Sequence, residues 1–269
     1  MRALALGAAR PAAALLARGR RRRRGRSDWT AVVRANWRAD VEFARARVRA
    51  NDLEATTSNG TALRKLTLDV GREDAKAFAR AGQFVQARTS SETAAAFIAI
   101  ASAPGEFDDG FELLIKAQVG SAANAIADVD AGGELEVTVA MGKGFDVSSV
   151  SGKKKAVLIA TGSGISPIRS LLRSGALDGA ESTLYYGTSN EKATAFLKES
   201  ESWPCEIVRV YSEDSGKYVQ DVLREDVASG KIDASETFAA LCGQKEMTMA
   251  AIEILTGAGV PREACLMNF

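Results

Sequence analysis

Two regimes of hydrophobic patterning divide the chain. Between residues 53 and 147 the apolar positions come in short runs separated by turn residues. Residues 62–70 alternate, with Leu63, Leu66 and Leu68 as core positions, and 83–88, 95–102, 111–117 and 134–140 have strand length and composition. A short helix is expected over 121–129, stopped by Gly132-Gly133. Strands at this spacing predict a small antiparallel β-barrel. After the Ser/Gly/Lys stretch at 147–155 the pattern changes. Strands near 156–160, 182–186, 206–211, 237–241 and 264–267 alternate with helices near 166–174, 190–200, 217–229 and 245–257, which predicts a doubly wound parallel sheet. The expected class is two-domain α/β: barrel at 53–150, α/β domain at 151–269. Residues 27–52 have two readings, a helix through Val33, Trp37 and Val41 or, at the end, an alternating strand from Val41 to Val48.

Charge alters the picture at one end. Residues 1–26 hold nine arginines and no acid; the remainder has 26 basic against 34 acidic side chains. An Arg-rich, acid-free start reads as an organelle-targeting presequence, set apart from the fold. The acidic remainder argues against a nucleic-acid binder. No apolar run has the roughly 18 residues of a spanning helix. Histidine is absent, which excludes His-dependent triads and imidazole metal sites, and Cys205, Cys242 and Cys265 are too dispersed for a cluster or a disulfide framework. No metal site is expected.

The stretch with the most chemistry is 155–174, KAVLIATGSGISPIRSLLRS. A buried-strand run ends in Thr161-Gly162-Ser163-Gly164, and Ile165, Ser166 and Pro167 open a helix, with Ser166 expected as its N-cap. Free backbone N–H groups and the helix dipole at such a turn suit a phosphate.

That turn resembles the dinucleotide turn of the ferredoxin–NADP reductase superfamily. Further segments match in order: AGQFV at 81–85, IASAP at 100–104, LYYG at 184–187, GKYVQ at 216–220, CGQKEM at 242–247 and a terminal Asn268-Phe269. The closest resemblance is to the plant fruit-protein-like oxidoreductase branch. It implies a barrel that binds flavin (FAD or FMN), a second domain that binds NAD(P)H, hydride transfer between them, and electrons passed to an acceptor that the sequence does not name. For a plant protein, it also implies import into a plastid; the serine-free presequence suits a mitochondrion.

The resemblance assigns the residues. Thr161 through Pro167 would hold the pyrophosphate, with Tyr186, Gly187, Gly243, Gln244 and Met247 around the dinucleotide. Cys242 would lie beside the nicotinamide and Phe269 would cover the flavin. Ser212 and Tyr218 match the adenosine pocket, but Glu213 and Asp214 stand where relatives carry an arginine for the 2′-phosphate, which favours NADH. Ser102, Gly120 and Ser121 are what remains of the flavin contacts. The family's Arg-x-Tyr-Ser/Thr motif falls on Ala96, Ile98 and Ala99, and Phe97 sits one residue out of register. Two readings follow, a flavin-dependent NAD(P)H oxidoreductase or a non-catalytic nucleotide-binding or assembly subunit that has lost flavin.

Overall fold

The computed structural model describes residues 41–268. The presequence, most of the 27–52 segment and Phe269 lie outside them. From Glu42 onward the chain forms one compact unit.

Six antiparallel strands make the first half: β1 (Ala44–Thr56), β2 (Ala62–Asp69), β3 (Phe84–Arg88), β4 (Ala96–Ala99), β5 (Gly110–Lys116) and β6 (Glu134–Val137), in the order β4-β3-β6-β1-β2-β5. A bridge between Ile100 and Leu113 joins the outer strands, and Ala101 N–H donates to the Glu112 carbonyl at 2.7 Å. The sheet therefore closes into a barrel and leaves no long unpaired edge. Alternation decides the faces: Val48, Leu66, Leu68, Val85, Ile98, Ile100 and Leu113 point inward. The alternating end of the 27–52 segment is strand, since β1 starts at Ala44 and pairs with both β2 and β6. The barrel thus begins before residue 53. Two short helices, α1 (Arg72–Ala77) and α2 (Ala122–Ala127), lie between strands; α1 had no clear periodicity to announce it.

The second half is a parallel sheet in the order β11-β10-β7-β8-β9, built from β7 (Lys155–Thr161), β8 (Glu181–Thr188), β9 (Glu206–Tyr211), β10 (Thr237–Cys242) and β11 (Cys265–Met267). The helices are α3 (Ile165–Arg173), the single turn α4 (Ser212–Ser215), α5 (Val219–Ala228) and α6 (Lys245–Gly257). Chain order reverses direction between β7 and β10, and the crevice beyond the carboxyl ends of those strands is where such sheets bind ligands. The expected helix at 190–200 does not form. Two 3₁₀ turns replace it, Glu191–Ala193 and Glu199–Ser202. Phe196 between them has φ 57, which no right-handed helix allows.

The larger hydrophobic core runs across the junction of the halves, joining Ala81, Ala101, Leu114 and Phe145 of the first to Ile165, Ile168 and Leu241 of the second. Polar contacts reinforce the join. Arg169, only 3 % exposed, donates to the Ala101 carbonyl at 2.8 Å and to Glu112 at 2.7 Å. Its Nε and Nη2 grip Glu199 at 2.8 and 2.9 Å, and its guanidinium lies over the Phe196 ring. Arg173 extends the network to Glu106 and Glu199.

Candidate functional site: a glycine crevice at the strand-order reversal

β7 and β10 are paired so that Ala160 faces Cys242, and the turns that follow them pack directly together. Gly164 makes this possible. A Cβ there would fall 2.7 Å from the Cys242 carbonyl carbon and 2.9 Å from Gly243 Cα, both backbone atoms. Gly243 is equally constrained, since its Cβ would meet the Thr161 side chain and, at 2.7 Å, the Met247 methyl. Thr161 Oγ1 accepts the Gln244 N–H at 3.2 Å, and Tyr186 OH donates to the Gly162 carbonyl at 3.3 Å. Gly187 lets Val219 of α5 and Thr161 of the neighbouring strand approach. The structure thus brings Thr161–Gly164, Tyr186, Gly187, Cys242, Gly243, Gln244 and Met247 to one crevice.

The local geometry departs from expectation at the helix start. A 3₁₀ turn, Gly162–Gly164, precedes α3, so Gly164 occupies the N-cap position and Ser166 is already helical. The buried Ser166 hydroxyl donates to the Ser163 carbonyl at 3.0 Å. Neither the 3₁₀ turn nor α3 has a side-chain cap. The opening N–H groups therefore carry no side-chain partner, as an anion site requires. Pro167 lies in the first helical turn, where its missing N–H costs nothing.

Cys242 is buried, and burial pushes its thiol up to about 12. It is a neutral, apolar wall of the crevice at physiological pH, and not a nucleophile. At the same level, Asn268 follows β11 and packs beside Gly82, which brings this end of the sheet against the barrel.

The residues expected at the adenosine, Ser212, Glu213 and Tyr218, lie at the end of β9, two strands away. Ser212 and Glu213 open α4 at the end of β9, and Ser212 Oγ lies 3.5 Å from the Thr188 carbonyl. Tyr218 precedes α5 and is 60 % exposed. Lys217 is turned away to Glu225 at 2.7 Å.

Register pairs Val85 with Ile98 and Gln86 with Phe97, so Ile98 faces the barrel core and Phe97 the outside. Ile98 thus cannot stand in for a stacking residue on the outer surface. Phe97 is the aromatic ring on that face, packed edge-on against Phe84 at 6.1 Å, with Ala99 and then Ala101 continuing the same face toward the second half. Ser102 is fully buried, and its hydroxyl accepts the Glu112 N–H at 3.0 Å; it cannot reach an external cofactor. Ser121 caps α2 and donates to the Gln118 carbonyl, beside Gly120 with φ +77. An arginine at the phosphate-binding position of β4 is missing, since Ala96 stands there. Among the described residues no group of side chains has metal-ligating geometry, and no helix is long and apolar enough to cross a membrane.

Residues 158–253 match the oxidoreductase NAD-binding domain family. No curated protein matches by sequence. Solved structures share the fold over most of the chain. Plasmodium falciparum ferredoxin–NADP+ reductase with 2′P-AMP is 18% identical, with a TM-score of 0.67 over 80% of this chain and 93% of that one. The Neisseria gonorrhoeae ferredoxin NADP+ reductase with bound FAD and NADP is 19% identical, TM-score 0.66, covering 82% and 93%. Phthalate dioxygenase reductase, a modular structure for electron transfer from pyridine nucleotides to [2Fe-2S], is 17% identical, TM-score 0.65, covering 84% and 67%. The chain thus carries an oxidoreductase NAD-binding domain. It is set in the two-domain architecture of ferredoxin–NADP reductases.

Proposed function

We propose that the protein is a flavin-dependent NAD(P)H oxidoreductase of the ferredoxin–NADP reductase type, in the plant fruit-protein-like branch. The observation that carries this reading is the crevice in which Gly164 and Gly243 let two turns meet at the reversal of strand order. The turn at 161–167 receives the pyrophosphate on its uncapped N–H groups. Cys242 and Gly243 border the nicotinamide, and Tyr218 meets the adenine. NADH is the preferred dinucleotide. The Plasmodium reductase binds 2′P-AMP, whereas here Glu213 and Asp214 would face a 2′-phosphate with like charge. Flavin, when bound, supplies the hydride-accepting chemistry and hands electrons to an acceptor. Gly120 and the backbone of β4 support its phosphates, with Phe269 as cover. Losing a charge-assisted phosphate contact costs about 1.5–3 kcal/mol, so flavin is held loosely and exchanges. The presequence at 1–26 directs import into a plastid.

A second reading has its own support. Ala96, Ile98 and Ala99 supply none of the usual flavin contacts, and Ile98 is committed to the barrel core. This favours a non-catalytic NAD(P)-binding or assembly subunit. Titration of the purified chain with FAD and FMN separates the two. A perturbed flavin spectrum with quenched fluorescence is the expected result, and no change at saturating flavin refutes the oxidoreductase. A fluorescent fusion of residues 1–50 that remains in the cytosol refutes import.

A further inference from the structure

Glu213 does not stand alone at the end of β9. Its carboxylate receives the hydroxyl of Ser58, at the tip of the β1–β2 hairpin, and the Asn190 amide at 2.7 Å. The same amide reaches Ser58 Oγ at 2.9 Å, the Ser189 and Ser58 hydroxyls are 3.0 Å apart, and Glu213 N–H donates to the Ser189 carbonyl at 2.9 Å. Three segments far apart in sequence therefore meet on one carboxylate: a barrel hairpin, the turn after β8 and the turn after β9.

The hairpin tip is rigid. Thr57 N–H donates to the Thr61 carbonyl at 2.9 Å, Gly60 N–H to the Thr57 carbonyl at 2.8 Å, and Thr61 N–H to Thr57 Oγ1 at 3.0 Å. Below the tip, the hairpin arm and residues 191–199 border an open cleft of about 650 Å³ lined in part by Leu53, Glu54, Lys65 and Phe196. These polar bonds add to the burial of Ala55 and Leu63, at the base of the tip, in the larger core.

The bonds from Ser58 and Asn190 hold the Glu213 carboxyl below its ordinary range, so it is charged at neutral pH. Each partner takes one acceptor position, on a different oxygen, which leaves an acceptor position open on each. The nearest lysine in sequence, Lys217, is spent on Glu225.

We infer that the Ser58–Asn190–Glu213 cluster selects the dinucleotide: Glu213 accepts a free ribose 2′-hydroxyl and repels a 2′-phosphate, and the barrel hairpin holds it in that position. The inference rests on the dinucleotide reading above. It makes Ser58 and Asn190 positioning residues, and cofactor choice a property of both halves of the fold. A hydroxyl donates to a carboxylate, whereas a phosphate dianion offers acceptors and like charge.

The test is calorimetric titration of the full chain with NADH and NADPH, and with ADP and adenosine 2′,5′-bisphosphate as probes of the adenosine end. Wild type is expected to bind the 2′-hydroxyl forms about tenfold or more tightly, with the preference shrinking at high salt. Glu213→Gln should abolish most of the preference and its salt dependence. Ser58→Ala should lower the preference about threefold, in part through weaker NADH binding, with the thermal midpoint nearly unchanged, a split that a merely structural contact would not give. If NADH binds but the preference is the same in wild type and both variants, the inference fails and the dinucleotide reading stands. If wild type binds neither dinucleotide, both fail.

Discussion

Gly164→Ala is the smallest change that reaches the centre of the site. The φ of Gly164 is −62°, so alanine meets no backbone strain and only space is at issue. Its Cβ would sit 2.7 Å from the Cys242 carbonyl carbon and 2.9 Å from Gly243 Cα. These are backbone atoms at the end of a central strand, with no flexible side chain to swing aside. The two turns must part by roughly half an ångström or more to restore van der Waals contact. Overpacking of this kind costs about 1–3 kcal/mol. In a unit of this size it lowers the melting temperature by roughly 3–10 °C. The same separation moves the uncapped N–H groups off the pyrophosphate, and displacement near 1 Å is worth about a hundredfold where geometry is critical. NADH affinity should therefore fall at least tenfold more than in Gly162→Ala, where φ is +53 but the space is open. Thermal unfolding and NADH titration of both variants decide the matter. If Gly164→Ala melts and binds like wild type, the turns do not pack as described and the site argument fails.

Other outcomes follow from the junction and the thiol. Arg169→Ala leaves Glu112 and Glu199 without their buried guanidinium and should cost about 3–5 kcal/mol, or roughly 10 °C in melting temperature, with Arg169→Lys also destabilised because ammonium cannot reproduce the fork. A variant within 1 °C of wild type in scanning calorimetry would show the network to be dispensable. Burial acts to raise the Glu199 carboxyl, but the Arg169 bonds outweigh it and hold the net value below 4.5. Its contribution is therefore fully present above about pH 4.5 and lost as pH falls through the lower folded value. In denaturant titrations, the stability gap between wild type and Glu199→Gln should be constant from about pH 7 to 5 and close below it; a gap that widens in acid contradicts the assignment. Cys242, with its thiol pushed up to about 12, should resist iodoacetamide at neutral pH in the native chain and react after denaturation. Rapid native labelling mapped to Cys242 would mean an open, ionised thiol.

Much of this arrangement was legible in the sequence because local and global signals agree. The run at 156–160, the two glycines and Pro167 specify a strand, a turn and a helix, and β7, the turn and α3 follow one another as read. The central strands β7 and β10 were readable for the same reason, each being a continuous apolar run buried on both faces. Failures occur where tertiary structure overrides pattern. Residues 190–200 have helical composition, but Asn190 caps a 3₁₀ turn and Phe196 adopts positive φ with its ring beneath Arg169. Ser166 has the chemistry of an N-cap, but the 3₁₀ turn starts the helical path at Gly162, four residues earlier. Ser102 lies in a matching motif, yet strand pairing turns its hydroxyl to a backbone N–H inside the fold. Counting along β4 put the stacking position on Ile98, whereas pairing with Val85 sends that side chain into the core and leaves Phe97 outward. No local signal marks the bond between Ser58 and Glu213, 155 residues apart, because it exists only once the halves have packed.

The most direct measurement is anaerobic mixing of the full chain, loaded with FAD or FMN, with NADH while the visible flavin absorbance is followed. Bleaching of the bound flavin by about one equivalent of NADH, much faster than free flavin under the same conditions, is the result the account predicts. If NADH binds in the crevice but flavin present at saturating concentration remains oxidised or does not bind, the chain is a nucleotide-binding subunit and the oxidoreductase is contradicted.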